Sequence, residues 1–143
     1  MTQGLVVLAA LMVAAGGILA ANRLHAQGWS HYVSRKIGHI GGGVAYLILA
    51  LWVDRWPAIA MVAGAAVVMV AVRIWKPGWL RGVGGTGRAH TYAEVSYALA
   101  GAASFVIGWG IFNDRWLAFL PVSFMAFGDS VTGIVRSIVY GRE

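Results

Sequence analysis

Charged side chains interrupt the apolar stretches of this sequence at three places, and these residues are its candidates for chemistry. The first is Asp129, within Phe127-Gly128-Asp129-Ser130 in the middle of a long apolar segment. Because an ionisable group inside a membrane costs a few kcal/mol, its presence indicates a function or a charged partner. A carboxylate here is a candidate ligand for a hard cation such as Mg²⁺. The alternative is a structural ion pair with an arginine of a neighbouring helix. Arg136, seven residues later, shares a helical face with Asp129.

The second group is the run Arg35-Lys36-Ile37-Gly38-His39. Arg35 and His39 are four residues apart and Lys36 and His39 three, so a helix places all three on one face. Two cations beside an imidazole suit a polyphosphate, which arginine grips through its planar fork and lysine attracts as a point charge. His39 would donate a hydrogen bond or carry a proton. Ordinary interfacial anchoring is the alternative for the cations, and a capped interfacial histidine is the alternative for His39.

The third candidate is Glu94, which follows a basic, glycine-rich segment. A carboxylate at the start of an apolar helix can provide a second metal contact or accept a proton from a hydroxyl substrate. The alternative is an ion pair with Arg73 or Arg88. The segment from Gly82 to Ala89 matches the spacings of dinucleotide and P-loop motifs, but no strand precedes it, as those motifs require. A connector is the favoured interpretation, in which backbone N–H groups and Arg88 could still cover phosphates.

Composition indicates what positions these residues. Of the 143 residues 59% are hydrophobic and 11% are charged, against about 25% charged in a typical soluble domain. One soluble core cannot bury so much apolar surface, so lipid is the expected solvent. The chain has no cysteine, which excludes disulfides and thiolate metal sites. The net charge of +6 comes from short loops between apolar runs, so we expect contact with lipid headgroups and no nucleic-acid partner.

The apolar runs predict an all-α bundle of about five transmembrane helices in a single membrane domain, residues 1–143. The predicted spans are residues 4–22, 37–53, 58–75, 91–112 and 116–140. Nine of the eleven Lys and Arg residues flank these spans on one side. The excess of positive charge on the cytoplasmic side of membrane proteins then predicts an external N-terminus and a cytoplasmic C-terminus. The prediction is a multi-pass protein of the cell membrane whose candidate residues lie near the cytoplasmic face.

Together the three groups resemble the CTP-dependent lipid-alcohol kinases, a family that includes dolichol kinase, phytol kinase and the yeast-type diacylglycerol kinase. The resemblance covers roughly residues 34–141, which leaves the first helix unmatched. Its strongest parts are Arg35-Lys36-x-x-His39, Gly128-Asp129 and the following Thr132-Gly133-Ile134-Val135-Arg136 and Tyr140-Gly141, and Glu94 is a looser match. Members usually continue with a basic segment and further spans, which this sequence lacks. We therefore expect a homo-oligomer or a partner subunit.

The resemblance implies a reaction at the cytoplasmic face. CTP would donate the phosphoryl group, with Mg²⁺ held by Asp129, and the acceptor would be a polyprenol, a phytol-like alcohol or a diacylglycerol whose tail stays among the membrane lipids. His39 or Glu94 would take the hydroxyl proton. The residues expected to bind the nucleotide or its phosphates are Arg35, Lys36, Arg88, Gly128 and Arg136. Three alternatives stay open: a cytidylyltransferase that forms a CDP-lipid, a non-catalytic membrane subunit with a kinase-like scaffold, and a transporter or proton channel, which Asp129 and Glu94 suggest although the sequence shows no inverted repeat.

Overall fold

The chain is mostly helical in the part that the structure, a computed structural model, describes: residues 2–84 and 92–140, without the side chain of Pro77. No strand occurs in these residues, as the all-α prediction requires. The first half contains the long helices α1 (Gln3–Ala26), α2 (His31–Trp52) and α3 (Arg55–Trp75). A 3₁₀ turn (Pro77–Leu80) and the one-turn helix α4 (Arg81–Gly84) follow.

The second half consists of two helices that each contain a π-helical segment. The first comprises α5 (Ala93–Ser104) and a π segment (Phe105–Ile111), and the second comprises α6 (Arg115–Ser123), a π segment (Phe124–Gly128) and α7 (Asp129–Tyr140). In the second π segment the N–H of Asp129 donates to the carbonyl of Phe124, five residues earlier. A π turn is wider than an α turn and is frequent at functional sites. Because the π segment directly precedes Asp129, it changes the direction in which the Asp129 side chain points away from the helix axis.

Within residues 2–84 and 92–140, four stretches of helix are long and apolar enough to cross a membrane: Gln3–Ala26, Arg55–Trp75, Ala93–Ile111 and Arg115–Tyr140. They match four of the five predicted spans to within a few residues. Helix α2, which covers residues 37–52 of the predicted span at residues 37–53, is not among the four. Its length of 22 residues is sufficient, but Arg35, Lys36, His39 and a run of glycines lower the hydropathy of its first half. Five spans and their orientation thus stay predictions.

Close backbone contact joins α1 to α2. A Cβ atom added to Gly41 would lie 2.7 Å from the Cα of Gly17, so the two helices cross where neither residue has a side chain. Such crossings suit membrane helices, whose association depends on close van der Waals packing. Ser30 caps the start of α2 by accepting a hydrogen bond of 3.2 Å from the N–H of Val33. The packing and the cap fix the segment that carries Arg35, Lys36 and His39.

The basic, glycine-rich segment that precedes Glu94 begins with the 3₁₀ turn Pro77–Leu80 and helix α4, which pack against the end of α1. The N–H of Gly82 donates to Asn22 Oδ1 at 2.7 Å, and Asn22 Nδ2 donates to the carbonyl of Trp79 at 2.7 Å. A side chain at Gly82 would overlap the backbone of Ala21. This glycine is therefore explained by helix packing. Arg88, predicted to bind phosphate, lies outside the described residues.

Candidate polar site at one end of the bundle

The two ends of the bundle differ in the polar groups that they carry. At one end, side chains link helix starts to neighbouring turns: Gln3 Nε2 donates to Asp54 Oδ2 and Arg55 Nη1 donates to Asn113 Oδ1, each at 2.5 Å. The opposite end, here called the charged end, contains two ion pairs with buried members among the residues that the structure describes. They are Lys36–Asp129 and Arg73–Glu94. Three of these four side chains are candidates from the sequence, and the fourth, Arg73, is an alternative partner that the sequence allowed for Glu94.

Lys36 of α2 and Asp129 at the start of α7 form an ion pair between Nζ and Oδ2, although 93 positions separate them in the chain. The burial of the two side chains is unequal: Lys36 is 3% exposed and Asp129 is 62% exposed. The carboxylate is thus exposed to a ligand, and the lysine lies directly behind it. The sequence allowed a structural pair between Asp129 and an arginine; the observed partner is a lysine of the other candidate group.

Tyr32 and Gly133 shape the surroundings of this pair. The Tyr32 ring centre lies 5.1 Å from Lys36 Nζ and 5.6 Å from Arg35 Cζ, within cation–π range of both. A Cβ atom at Gly133 would lie 2.5 Å from Tyr32 Oη and 3.0 Å from Lys36 Cε, so α7 can approach α2 here only through a glycine. Sequence reasoning missed both roles. The spacing of three and four residues from Tyr32 to Arg35 and Lys36 is the signal that could have indicated the first.

His39 lies one helical turn after Lys36 and stacks on Tyr97 of α5, with ring centres 4.6 Å apart and planes 11° apart. Tyr97 Oη donates to the backbone carbonyl of His39 at 3.2 Å. Gly42 leaves room for the tyrosine ring, since a Cβ atom there would lie 2.9 Å from it. These contacts fix the histidine ring. Its Nε2 is buried and has no hydrogen-bond partner among the described residues.

Glu94 pairs with Arg73 of α3: Nη1 lies 3.2 Å from Oε1, and the two side chains are 4% and 3% exposed. Gly84 packs against both charged groups, and a side chain at this position would overlap Glu94 Oε1. Arg73 also faces the ring of Tyr92 at 5.3 Å. One of the alternatives from the sequence, a pair with Arg73, is therefore present. The other carboxylate oxygen, Oε2, has no hydrogen-bond partner in the described part of the chain.

The remaining candidates occupy peripheral positions. Gly128 is exposed directly before Asp129, and only one atom lies within 4 Å of where its Cβ would be. Arg136 is exposed two turns further along α7. The described residues contain no group of three or more His, Cys, Asp or Glu side chains placed to hold a metal ion. One exposed carboxylate nevertheless fits Mg²⁺, which proteins commonly bind through one or two carboxylates together with phosphate oxygens and water.

Comparisons of the chain with protein-family models, curated proteins and solved structures find no match.

Proposed function

We propose that this chain is a multi-pass membrane protein, with its N-terminus outside and its C-terminus in the cytoplasm, that transfers a phosphoryl group from CTP to a lipid alcohol. The observation that carries the proposal is the unequal Lys36–Asp129 pair. A buried cation held behind an exposed carboxylate suits a magnesium-bound polyphosphate, because such a ligand presents a metal to the carboxylate and negative oxygens to the lysine. The proposed orientation places the charged end at the cytoplasmic face, where CTP is present.

In the proposed complex Asp129 binds Mg²⁺ and Lys36 binds the phosphates. The metal supplies charge neutralisation on the phosphate oxygens, which is the main requirement of phosphoryl transfer. Lys36 then exchanges its carboxylate partner for a phosphate oxygen, so it keeps a negative partner in both states. Arg35, on the same face of α2, adds a second cation. Gly128, Arg88 and Arg136 complete the proposed phosphate site.

The acceptor hydroxyl is proposed to lie on the other side of His39, towards Glu94. The hydroxyl oxygen attacks the terminal phosphorus of CTP, the bond from that phosphorus to the bridging oxygen breaks, and CDP leaves. His39 Nε2 or Glu94 Oε2 takes the hydroxyl proton. Both atoms are without a hydrogen-bond partner in the described residues, which leaves them available to a substrate hydroxyl.

Labelled CTP separates this proposal from its alternatives. The purified protein in lipid nanodiscs would be incubated with Mg²⁺ and a polyprenol, phytol or diacylglycerol, together with CTP labelled at either the γ or the α phosphate. A kinase transfers the γ label to lipid and leaves the α label in CDP. A cytidylyltransferase transfers the α label to lipid. If neither label enters the lipid fraction with any of the three alcohols, the proposed reaction is wrong and the non-catalytic alternative gains support.

A further inference from the structure

An apolar cavity lies between α1, α2, α3 and α5, next to the charged end. Its volume is about 110 Å³, and most of its lining is aliphatic. Helix α1 contributes Val7, Ala10, Leu11, Ala14 and Ile18. Leu11 of α1 and Ala65 of α3 line the cavity and are also exposed. The cavity therefore opens sideways between α1 and α3, towards the surface that would face lipid.

The polar residues of the cavity include His39, Glu94 and Tyr97. Tyr97 donates to a carbonyl, whereas His39 Nε2 and Glu94 Oε2 are buried with no hydrogen-bond partner in residues 2–84 and 92–140. A buried polar atom without a partner costs about 1–3 kcal/mol, so these atoms favour a ligand that brings a hydrogen-bonding group. The carboxylate of Glu94 disfavours an anionic group there, while an uncharged hydroxyl can donate to it.

We propose that this cavity binds the hydroxyl group and the first few carbons of a lipid alcohol, and that α1 sets the width of chain it accepts. Identifying this ligand as the acceptor substrate rests on the proposed function. A cavity of about 150 Å³ accommodates a benzene molecule, so the smaller space here admits only a short, slender segment of chain. The rest of the tail leaves between α1 and α3. In this proposal α1 determines which lipid tails are accepted, and α1 is the helix that the family resemblance leaves unmatched.

Two adjacent alanines of α1 provide a matched test. Ala14 lines the cavity and is half-buried, whereas Ala15 is exposed and is not part of the lining. Ala14→Phe adds a phenyl group inside the cavity, and Ala15→Phe adds the same group on the outer surface. Ala14→Leu is a milder filling variant for use if the phenylalanine variant does not fold. Thermal unfolding of each variant in nanodiscs establishes that it is folded before binding is compared.

The probe is hexadecan-1-ol with a photoreactive diazirine at carbon 5, applied without CTP and followed by mass spectrometry of the labelled peptides. We expect labelling of the cavity-lining parts of α1 and α3 in the wild type and in Ala15→Phe, and a loss of at least fivefold in the folded Ala14 variant. The methyl ether of the same probe, which cannot donate a hydrogen bond, should label these positions several-fold less. Equal labelling of the Ala14 and Ala15 variants, or labelling spread evenly over the outer surface, would overturn the proposal.

Because the probe experiment contains no nucleotide, its outcome is independent of the kinase reaction. If the cavity is labelled but the protein transfers no phosphate from CTP, the proposal of an alcohol site in the cavity stands and the kinase proposal is rejected. If the protein transfers phosphate from CTP but the cavity is not labelled, the kinase proposal stands and the cavity proposal is overturned. In an active protein, Ala14→Phe should also shift acceptor preference towards thinner, unbranched alcohols, and Ala15→Phe should not.

Discussion

The two ion pairs of the charged end have similar chemistry and very different surroundings. Arg73 and Glu94 are both buried, and Gly84 packs against them. In the pair of Lys36 and Asp129 only the lysine is buried. The sealed pair, with both members buried, keeps its two partners together even where Glu94 Oε2 accepts a hydrogen bond from a ligand, whereas the open pair, with Asp129 exposed, can exchange one partner for a ligand. Unequal burial is thus what distinguishes the proposed binding site from the fully buried pair.

This comparison predicts that the sealed pair controls stability. Arg73→Met should reduce the free energy of unfolding by about 3–5 kcal/mol, because it leaves the Glu94 carboxylate buried without its cation. Unfolding in mixed micelles with increasing SDS measures this loss. The double variant Arg73→Met/Glu94→Leu should recover most of the stability, since two apolar side chains then replace two charges. If Arg73→Met were as stable as the wild type, the buried pair would not control stability and the proposed difference between the two pairs would be wrong.

The open pair should control activity with little effect on stability. Lys36→Met keeps the length of the side chain, and the exposed Asp129 is hydrated when its partner is lost, so we expect a stability change below about 1 kcal/mol. The rate of phosphoryl transfer should fall about 100-fold, the usual effect of removing one charge-stabilising group. Initial rates with γ-labelled CTP and the same SDS titration give both values. A large loss of stability with unchanged kcat would assign Lys36 a structural role.

A smaller effect is expected from the glycine that lets α7 approach α2. Gly133→Ala places a Cβ atom against Tyr32 and Lys36, and overpacking of this kind costs about 1–3 kcal/mol. Displacement of Lys36 should lower phosphoryl-transfer activity by about tenfold. Gly64→Ala is the control, because nothing lies within 4 Å of the added atom, and it should retain full activity. Equal activities of the two variants would show that the position of α7 at this contact does not matter.

Sequence reasoning predicted the helices better than the contacts between them. Hydropathy located four spans because long apolar runs are a local property, and it placed a fifth at residues 37–53, where the structure has a helix with a polar first half. The polar residues were recognised because charge inside apolar sequence is costly. Their partners were not fixed by the sequence, since the approach of Lys36 to Asp129 depends on a π turn at Phe124–Gly128 and on the space at Gly133. Neither the π turn nor the space at Gly133 produces a periodic pattern in the sequence.

The central claim is that the exposed member of the open pair binds a magnesium-bound nucleotide. Equilibrium binding of labelled CTP to the protein in nanodiscs, with Mg²⁺ or with EDTA, tests this directly. The account predicts that the wild type and Asp54→Asn, which alters an exposed carboxylate at the other end of the bundle, bind CTP at least tenfold more tightly with Mg²⁺. Asp129→Asn should lose this dependence on the metal. The same magnesium dependence in Asp129→Asn as in the wild type would contradict the claim.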